Sequence, residues 1–199
     1  MIKKIIVFNL FYLFCSYNIF ANDINEFGID NIYIGVSLSD HFSKNEISNA
    51  TINKYPGSNA FIDYLILSNK NSKYENYRIT VKSKDTNFII HSISGDIGFN
   101  YKFEECMEYK KNVFNDIINI YPDLEFYQYE WLYSELADGK SFAKVDDFLL
   151  SSGSIRLYCV NSSATSKREL NMDDYFSIEI STNEVLDWLS SDANTGNVN

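Results

Sequence analysis

The sequence predicts an α+β fold, antiparallel sheet packed by one long helix and one or two short helices. Three observations carry this expectation. Residues 103–121 place Cys106, Tyr109, Val113, Ile117 and Ile120 at helical spacing, with Lys110, Lys111, Asn112, Asn115 and Asp116 largely opposite. Short segments with apolar residues at alternate positions recur on both sides of that helix, Tyr77-Ile79-Val81 being the cleanest. Polar turns separate them, as Asn69–Glu75 and Asp138-Gly139 do.

The elements follow in order. Phe27 to Val36 reads as a short strand, and Ser37-Leu38-Ser39-Asp40 supplies cap chemistry for a short helix through Phe42 and Ile47. Tyr55-Pro56-Gly57 breaks the chain. Three strand candidates follow, Ala60–Leu67, Tyr77–Lys82 and Asn87–Ile97, and together they read as a meander. The long helix opens with Glu104-Glu105, carboxylates that suit a helix N-terminus, and Pro122 stops it. Strands are then expected at Leu124–Tyr133, Phe142–Leu150, Ser154–Val160 and Tyr175–Ile180, with a polar loop at Asn161–Glu169 and a short helix at Asn183–Leu189. The resulting domain reading is a signal segment at 1–21, a first helix-plus-meander unit at 22–100, a second at 101–190 sharing one core, and a flexible tail at 191–199.

Composition excludes several functions. The chain has 199 residues, 45% of them hydrophobic, enough to build a core and to exclude wholesale disorder. Seventeen basic against 27 acidic residues give a net charge of −10. That balance argues against nucleic acid and against docking on anionic lipid, both of which need clustered Lys and Arg. Met1-Ile2-Lys3-Lys4 followed by the apolar run Ile5–Phe20 and Ala21 is the layout of a secretory signal peptide cut after Ala21. A membrane anchor is the alternative, but the run is short and holds Asn9, Ser16 and Asn18. Lipidation at Cys15 is a third reading, opposed by the bulky Phe14 before it. Cleavage removes Lys3 and Lys4 and no acid, so the net charge of −10 becomes −12. The expected location is periplasmic or secreted, with no stable membrane insertion once the signal is removed, and the expected partner is a protein, basic rather than polyanionic.

After cleavage Cys106 and Cys159 are the only thiols, and an even pair in an exported chain reads as a disulfide. Cys106 falls on the apolar face of the long helix and Cys159 on an inward strand position, so the bridge would staple helix to sheet. Two free buried thiols or half a metal site are the other readings. The metal reading lacks a CxxC motif and has only His41 and His91 as imidazoles. No metal and no cofactor are expected.

Phe27-Gly28-Ile29 followed by Ile34-Gly35-Val36-Ser37-Leu38 resembles the approach to the first helix in small bacterial envelope proteins of the outer-membrane assembly lipoprotein and β-lactamase-inhibitor superfold. The resemblance implies helices packed on a small antiparallel sheet, sometimes duplicated, and an inclination towards protein binding. The order helix–meander–helix–meander is compatible with the duplicated form. It carries over no functional residue.

Catalytic motifs are missing: there is no nucleophile elbow, phosphate-binding glycine loop or dinucleotide fingerprint. Asp146-Asp147 and Asp173-Asp174 do not follow a calcium-loop pattern and read as solvated loop or strand-edge charge. One segment stands above background. Tyr127, Tyr129, Trp131 and Tyr133 fall on one strand face, with Phe126, Gln128, Glu130 and Leu132 on the other. Either the aromatic face packs under the long helix, or it is an exposed surface rimmed by Glu125, Glu130 and Glu135, and Tyr and Trp are common interface anchors. The candidate binding surface is therefore Tyr127, Tyr129, Trp131, Tyr133 and Glu130, with no catalytic residue assigned. The leading function is a non-enzymatic protein-binding module, an inhibitor or immunity protein for a basic partner. An envelope-assembly accessory protein is one alternative. A small enzyme with His41 or His91 as general base is another, and it needs a concave pocket plus a carboxylate or hydroxyl within reach of one histidine.

Overall fold

Alternating apolar residues in most of its strands build one eight-stranded antiparallel sheet in the computed structural model, which describes residues 23–68, 71–133 and 138–191. The chain enters through an arm below this sheet. The segment Phe27–Val36 is not one strand but a tight hairpin, β1 (Gly28–Ile29) and β2 (Ile32–Tyr33). Asp30 and Asn31 form its turn with φ of 49° and 63°, the doubly left-handed backbone that Asn and Asp tolerate and that matches strand twist. Ser37 caps only the single 3-10 turn Leu38–Asp40. The helix α1 (Lys44–Asn49) has its own capping box: Ser43 Oγ accepts from the Glu46 N–H, and the Glu46 carboxylate accepts from the Ser43 N–H at 2.8 Å.

The first half continues through β3 (Thr51–Lys54), β4 (Phe61–Leu67), β5 (Asn76–Lys82) and β6 (Ile90–Gly98). The second runs α2 (Phe103–Ile120), β7 (Phe126–Leu132), β8 (Phe142–Leu149), β9 (Gly153–Asn161), α3 (Ala164–Leu170), β10 (Tyr175–Thr182) and α4 (Asn183–Ser191). Strand order in the sheet is β3-β4-β5-β6-β10-β9-β8-β7. Each half is thus a four-stranded meander after a helix, and the two join by their last strands, β6 and β10, from Tyr175 opposite Gly98 to Ser181 opposite Ser92. Two further elements differ from the sequence reading. β3 has the pattern Thr-Ile-Asn-Lys, all exposed, and is a strand because β4 offers it a ladder. α3 forms where a loop was expected, because Ser163 caps its first turn by accepting from the Ser166 N–H.

One sheet face is apolar. Ile79, Ile93, Ile155, Leu157, Cys159, Phe176 and Ile180 are buried there beneath α2 and the N-terminal arm. Each fully buried side chain of this size stabilises by about 1.5–3 kcal/mol. Tyr109 of α2 meets Phe176 edge-on with ring centroids 4.9 Å apart, and Phe114 meets Phe126 in the same way at 4.9 Å. Ile120, at the helix end, is 68% exposed, and Phe114 takes the core contact that helical spacing gave it. Cys106 and Cys159 are disulfide-bonded with Cα atoms 6.0 Å apart, so α2 is stapled to β9. Beside the staple, Lys110 Nζ pairs with Asp146 at 2.8 Å, both buried, and Gln128 donates to the same carboxylate at 2.9 Å.

The signal segment 1–21, its Cys15, the tail from residue 192 onward and Glu135 lie outside the described residues. Among the described residues no helix is long and apolar enough to cross a membrane.

Two stability outcomes follow. The cysteines are 53 positions apart, and closing a loop of that length stabilises by about 4 kcal/mol in chain-entropy arithmetic. Denaturant unfolding of the Cys106→Ala/Cys159→Ala variant is expected to lose about 2–4 kcal/mol; an unchanged midpoint contradicts the staple. Lys110→Met strands a buried carboxylate and is expected to cost about 3–5 kcal/mol, with much of that recovered when Asp146→Leu is added.

Candidate binding face

The other sheet face is polar, and the edge strand β7 forms its rim. Tyr127, Tyr129 and Trp131 point to this side, away from α2, and are 55%, 41% and 52% exposed. Of the two placements open from sequence, the aromatic row is the exposed one, and what packs under α2 is the opposite side of β7, through Phe126. The row is held locally. Tyr127 donates its hydroxyl to Glu125 at 2.8 Å, and the Trp131 and Tyr133 rings lie nearly parallel, 8° apart in plane. Glu130 lies on the helix side of β7, where it pairs with Lys144 at 2.6 Å, so it does not continue the aromatic row.

Behind the rim, the strand register lines up small hydroxyl side chains. Thr80, Ser92, Ser181 and Ser154 stand opposite one another across β5, β6, β10 and β9. The next row, two residues along, carries Arg78, Ser94, Glu179, Arg156 and Asp147. The hydroxyls are buried, and α4 packs against β6, β10 and β9 on this side. The sheet curls around them: side chains from β4 through β7 line one cavity of about 210 Å³, closed at the far side by Tyr55 and by Trp188 of α4. Tyr55, Phe61 and Trp188 form the small aromatic cluster that docks α4, with Tyr55 and Trp188 ring centroids 4.6 Å apart.

The electrostatics of the floor are mostly satisfied internally. Asp63 accepts from the Tyr55 hydroxyl at 2.7 Å and from Thr80 at 2.8 Å. Glu179 accepts from Ser181 at 2.8 Å, and Ser181 shares a 2.6 Å hydrogen bond with Ser92. Arg156 reaches Asp147 at 3.4 Å and Glu179 at 3.9 Å. Burial pushes the Tyr133 and Tyr158 phenols up from their ordinary value. Burial, reinforced by the Asp63 charge, does the same to Tyr55, so all three stay protonated donors at neutral pH. Burial also holds the Asp96 carboxyl above the usual carboxylate range, with the Glu179 and Glu75 charges adding to it and Ser177 and Arg78 opposing.

The two histidines divide the requirements of a general base between them. His41 lines a separate cavity with Asp30, Ser72 and Tyr77, but Asp30 already accepts from the Tyr77 hydroxyl at 2.6 Å and from Ser72 at 2.7 Å. His91 has a carboxylate, Glu184, 3.5 Å from Nδ1, yet is not among the residues lining the sheet-face cavity. The paired aspartates are structural rather than solvated. Asp173 accepts from the N–H groups of Asn100 and Tyr101 at the turn before α2, and Asp174 accepts from the Ser162 N–H and pairs with Lys167 at 3.1 Å. Among the described residues no group of three or more His, Cys, Asp or Glu side chains is placed to hold a metal ion.

Compared with protein-family models, with curated proteins and with solved structures, the chain matches none. The resemblance drawn from the Gly35–Leu38 region therefore stays an expectation.

Arg78, Arg156, Glu179, Tyr55 and Trp188 were not singled out by sequence. The available signal was weak: the polar members of each alternating strand fall on one common face.

The environment of His91 gives a titration to measure. Burial depresses its pKa first, the Lys82 charge adds to this, and Glu184 and Asp85 oppose. NMR titration of the ring protons is expected to give a value below about 6.5, raised by Lys82→Gln and lowered further by Glu184→Gln. The unfolded chain therefore binds this proton more readily, and stability falls as pH drops below about 6.5. A wild-type value at or above 6.5 contradicts this.

Proposed function

We propose that the chain is an exported, non-enzymatic protein-binding module that meets its partner with the aromatic rim of β7 and the adjoining polar face. The single observation that carries this reading is the exposed row of Tyr127, Tyr129 and Trp131 on an edge strand, on the face that α2 leaves free. Aromatic side chains with one polar tip supply large contact area at low conformational cost, which is why they dominate interface energetics. An edge strand also presents unpaired N–H and C=O groups along its outer side. Tyr127 is tethered by Glu125, so part of the row is preorganised. Export is supported by the N-terminal Lys3-Lys4 and apolar run together with the disulfide, which persists in an oxidising compartment such as the periplasm or the extracellular medium. A basic partner is favoured by the net charge of −10, through long-range steering. An inhibitor or immunity role fits these features and a catalytic one does not need them, since each histidine meets only one of the two demands of a general base.

The test is capture from an envelope extract by immobilised mature protein, compared with the Tyr127→Ala/Tyr129→Ala variant and with Glu104→Ala on α2 as a control. Trp131 is left in place because it also walls the cavity. The expected result is a partner held by wild type and control and lost, tenfold or more, from the double variant. Equal retention of every captured protein by the double variant overturns the reading.

A further inference from the structure

The cavity behind the rim contains both tryptophans of the chain, Trp131 and Trp188. At about 210 Å³ it is smaller than the roughly 300–1,000 Å³ of sites for drug-sized ligands, so its occupant is small. Its walls are apolar and flat: besides the tryptophans they include Tyr55, Tyr133, Val145 and Leu189. The charged groups of its lining are largely paired with their neighbours. Both oxygens of Asp63 are engaged by Tyr55 and Thr80, Glu179 Oε1 accepts from Ser181 and faces Arg156, and Arg156 also reaches Asp147. Arg78 and Trp188 make no contact of this kind. Among the described residues the Arg78 guanidinium makes no hydrogen bond and no ion pair within 4.0 Å, although Asp96 and Asp63 act on it at longer range. Trp188 is 5% exposed, and its indole N–H has no acceptor. Both are donors. Among the described residues the other buried atoms without partners, Asn76 Oδ1, Asp147 Oδ1 and Ser177 Oγ, belong to residues outside the lining.

We propose that this cavity is a binding site for a small carboxylate with a flat apolar body, the carboxylate on Arg78 and the body against the tryptophan and tyrosine rings. A guanidinium fork matches a carboxylate with two parallel hydrogen bonds, and it does so best where water is excluded. The indole N–H, which can only donate, supplies a further bond to an oxygen. The lining carries Arg78 and Arg156 against Asp63 and Glu179, so a carboxylate meets a wall of no net charge despite the acidic chain. A cationic ligand would find Asp63 engaged on both oxygens and Glu179 already facing Arg156. The site shares Trp131 with the rim, and it is tested through Arg78, which lies outside the aromatic row.

Because Trp131 and Trp188 are the only tryptophans, intrinsic fluorescence reads this cavity directly. The full chain is titrated with benzoate, phenylacetate and cyclohexanecarboxylate, and with benzamide and benzylamine as neutral and cationic counterparts. At least one carboxylate is expected to give a saturable change, about tenfold tighter than benzamide, and to weaken about tenfold or more in Arg78→Gln, with Arg78→Lys intermediate. The proposal is overturned if no carboxylate saturates, if benzamide or benzylamine binds as tightly, or if folded Arg78→Gln binds like wild type. Should Arg78→Gln not fold, the wild-type preference for carboxylate over benzamide decides alone.

Discussion

The pairing of β6 with β10 is the constraint on which the rest of the molecule depends. It joins two four-stranded meanders into one sheet, and it does so in a single register, Ile93 opposite Ile180 and Ser92 opposite Ser181. Side chains alternate between faces with a period of two, so a slip of one residue would turn every apolar side chain outward. In the register observed, isoleucines continue the core across the seam while serines continue the hydroxyl floor. Core and binding face are two consequences of one set of backbone hydrogen bonds.

That division determines where function can reside. The apolar face is covered by α2, fixed covalently through Cys106–Cys159 and by the buried Lys110–Asp146 pair. The hydroxyl face receives α4, docked through Val185 and Trp188 beside Phe61 and Tyr55. Between α4 and Trp131 of β7 the face curls into a cavity. Small serines make that curvature possible without overpacking, and the aromatics at either edge give the basin its walls. Most of the buried charge is neutralised within the sheet, and among the described residues Arg78 is conspicuous as a cation without a hydrogen bond or close ion pair.

Much of the fold could be read from the residues. The long helix followed from its apolar spacing and from Pro122, the strands from period-two alternation, and the bridge between Cys106 and Cys159 from cysteine number in a chain read as exported. What stayed hidden has physical causes. β3 and α3 carry no apolar stripe; the first exists through its partner strand and the second through the Ser163 cap. The hairpin at Asp30-Asn31 looked like continuous strand because Ile29, Ile32 and Ile34 are all buried on either side of the turn. The aromatic row of β7 was visible in sequence, but which face α2 would cover depended on pairing between distant strands. Arg78, Glu179 and Arg156 sit at alternate strand positions that ordinarily face solvent, and Tyr55 and Trp188 come together only when α4 folds back.

Amide hydrogen exchange tests the seam and the open edge in one experiment. The ladder amides of residues 92–98 and 175–181 are expected to exchange among the slowest in the protein, while alternate amides of β7, those pointing away from β8, exchange at rates close to those of an exposed loop. Seam amides exchanging as fast as the β7 edge would mean that the two halves do not share one sheet, and the curled hydroxyl face would go with it.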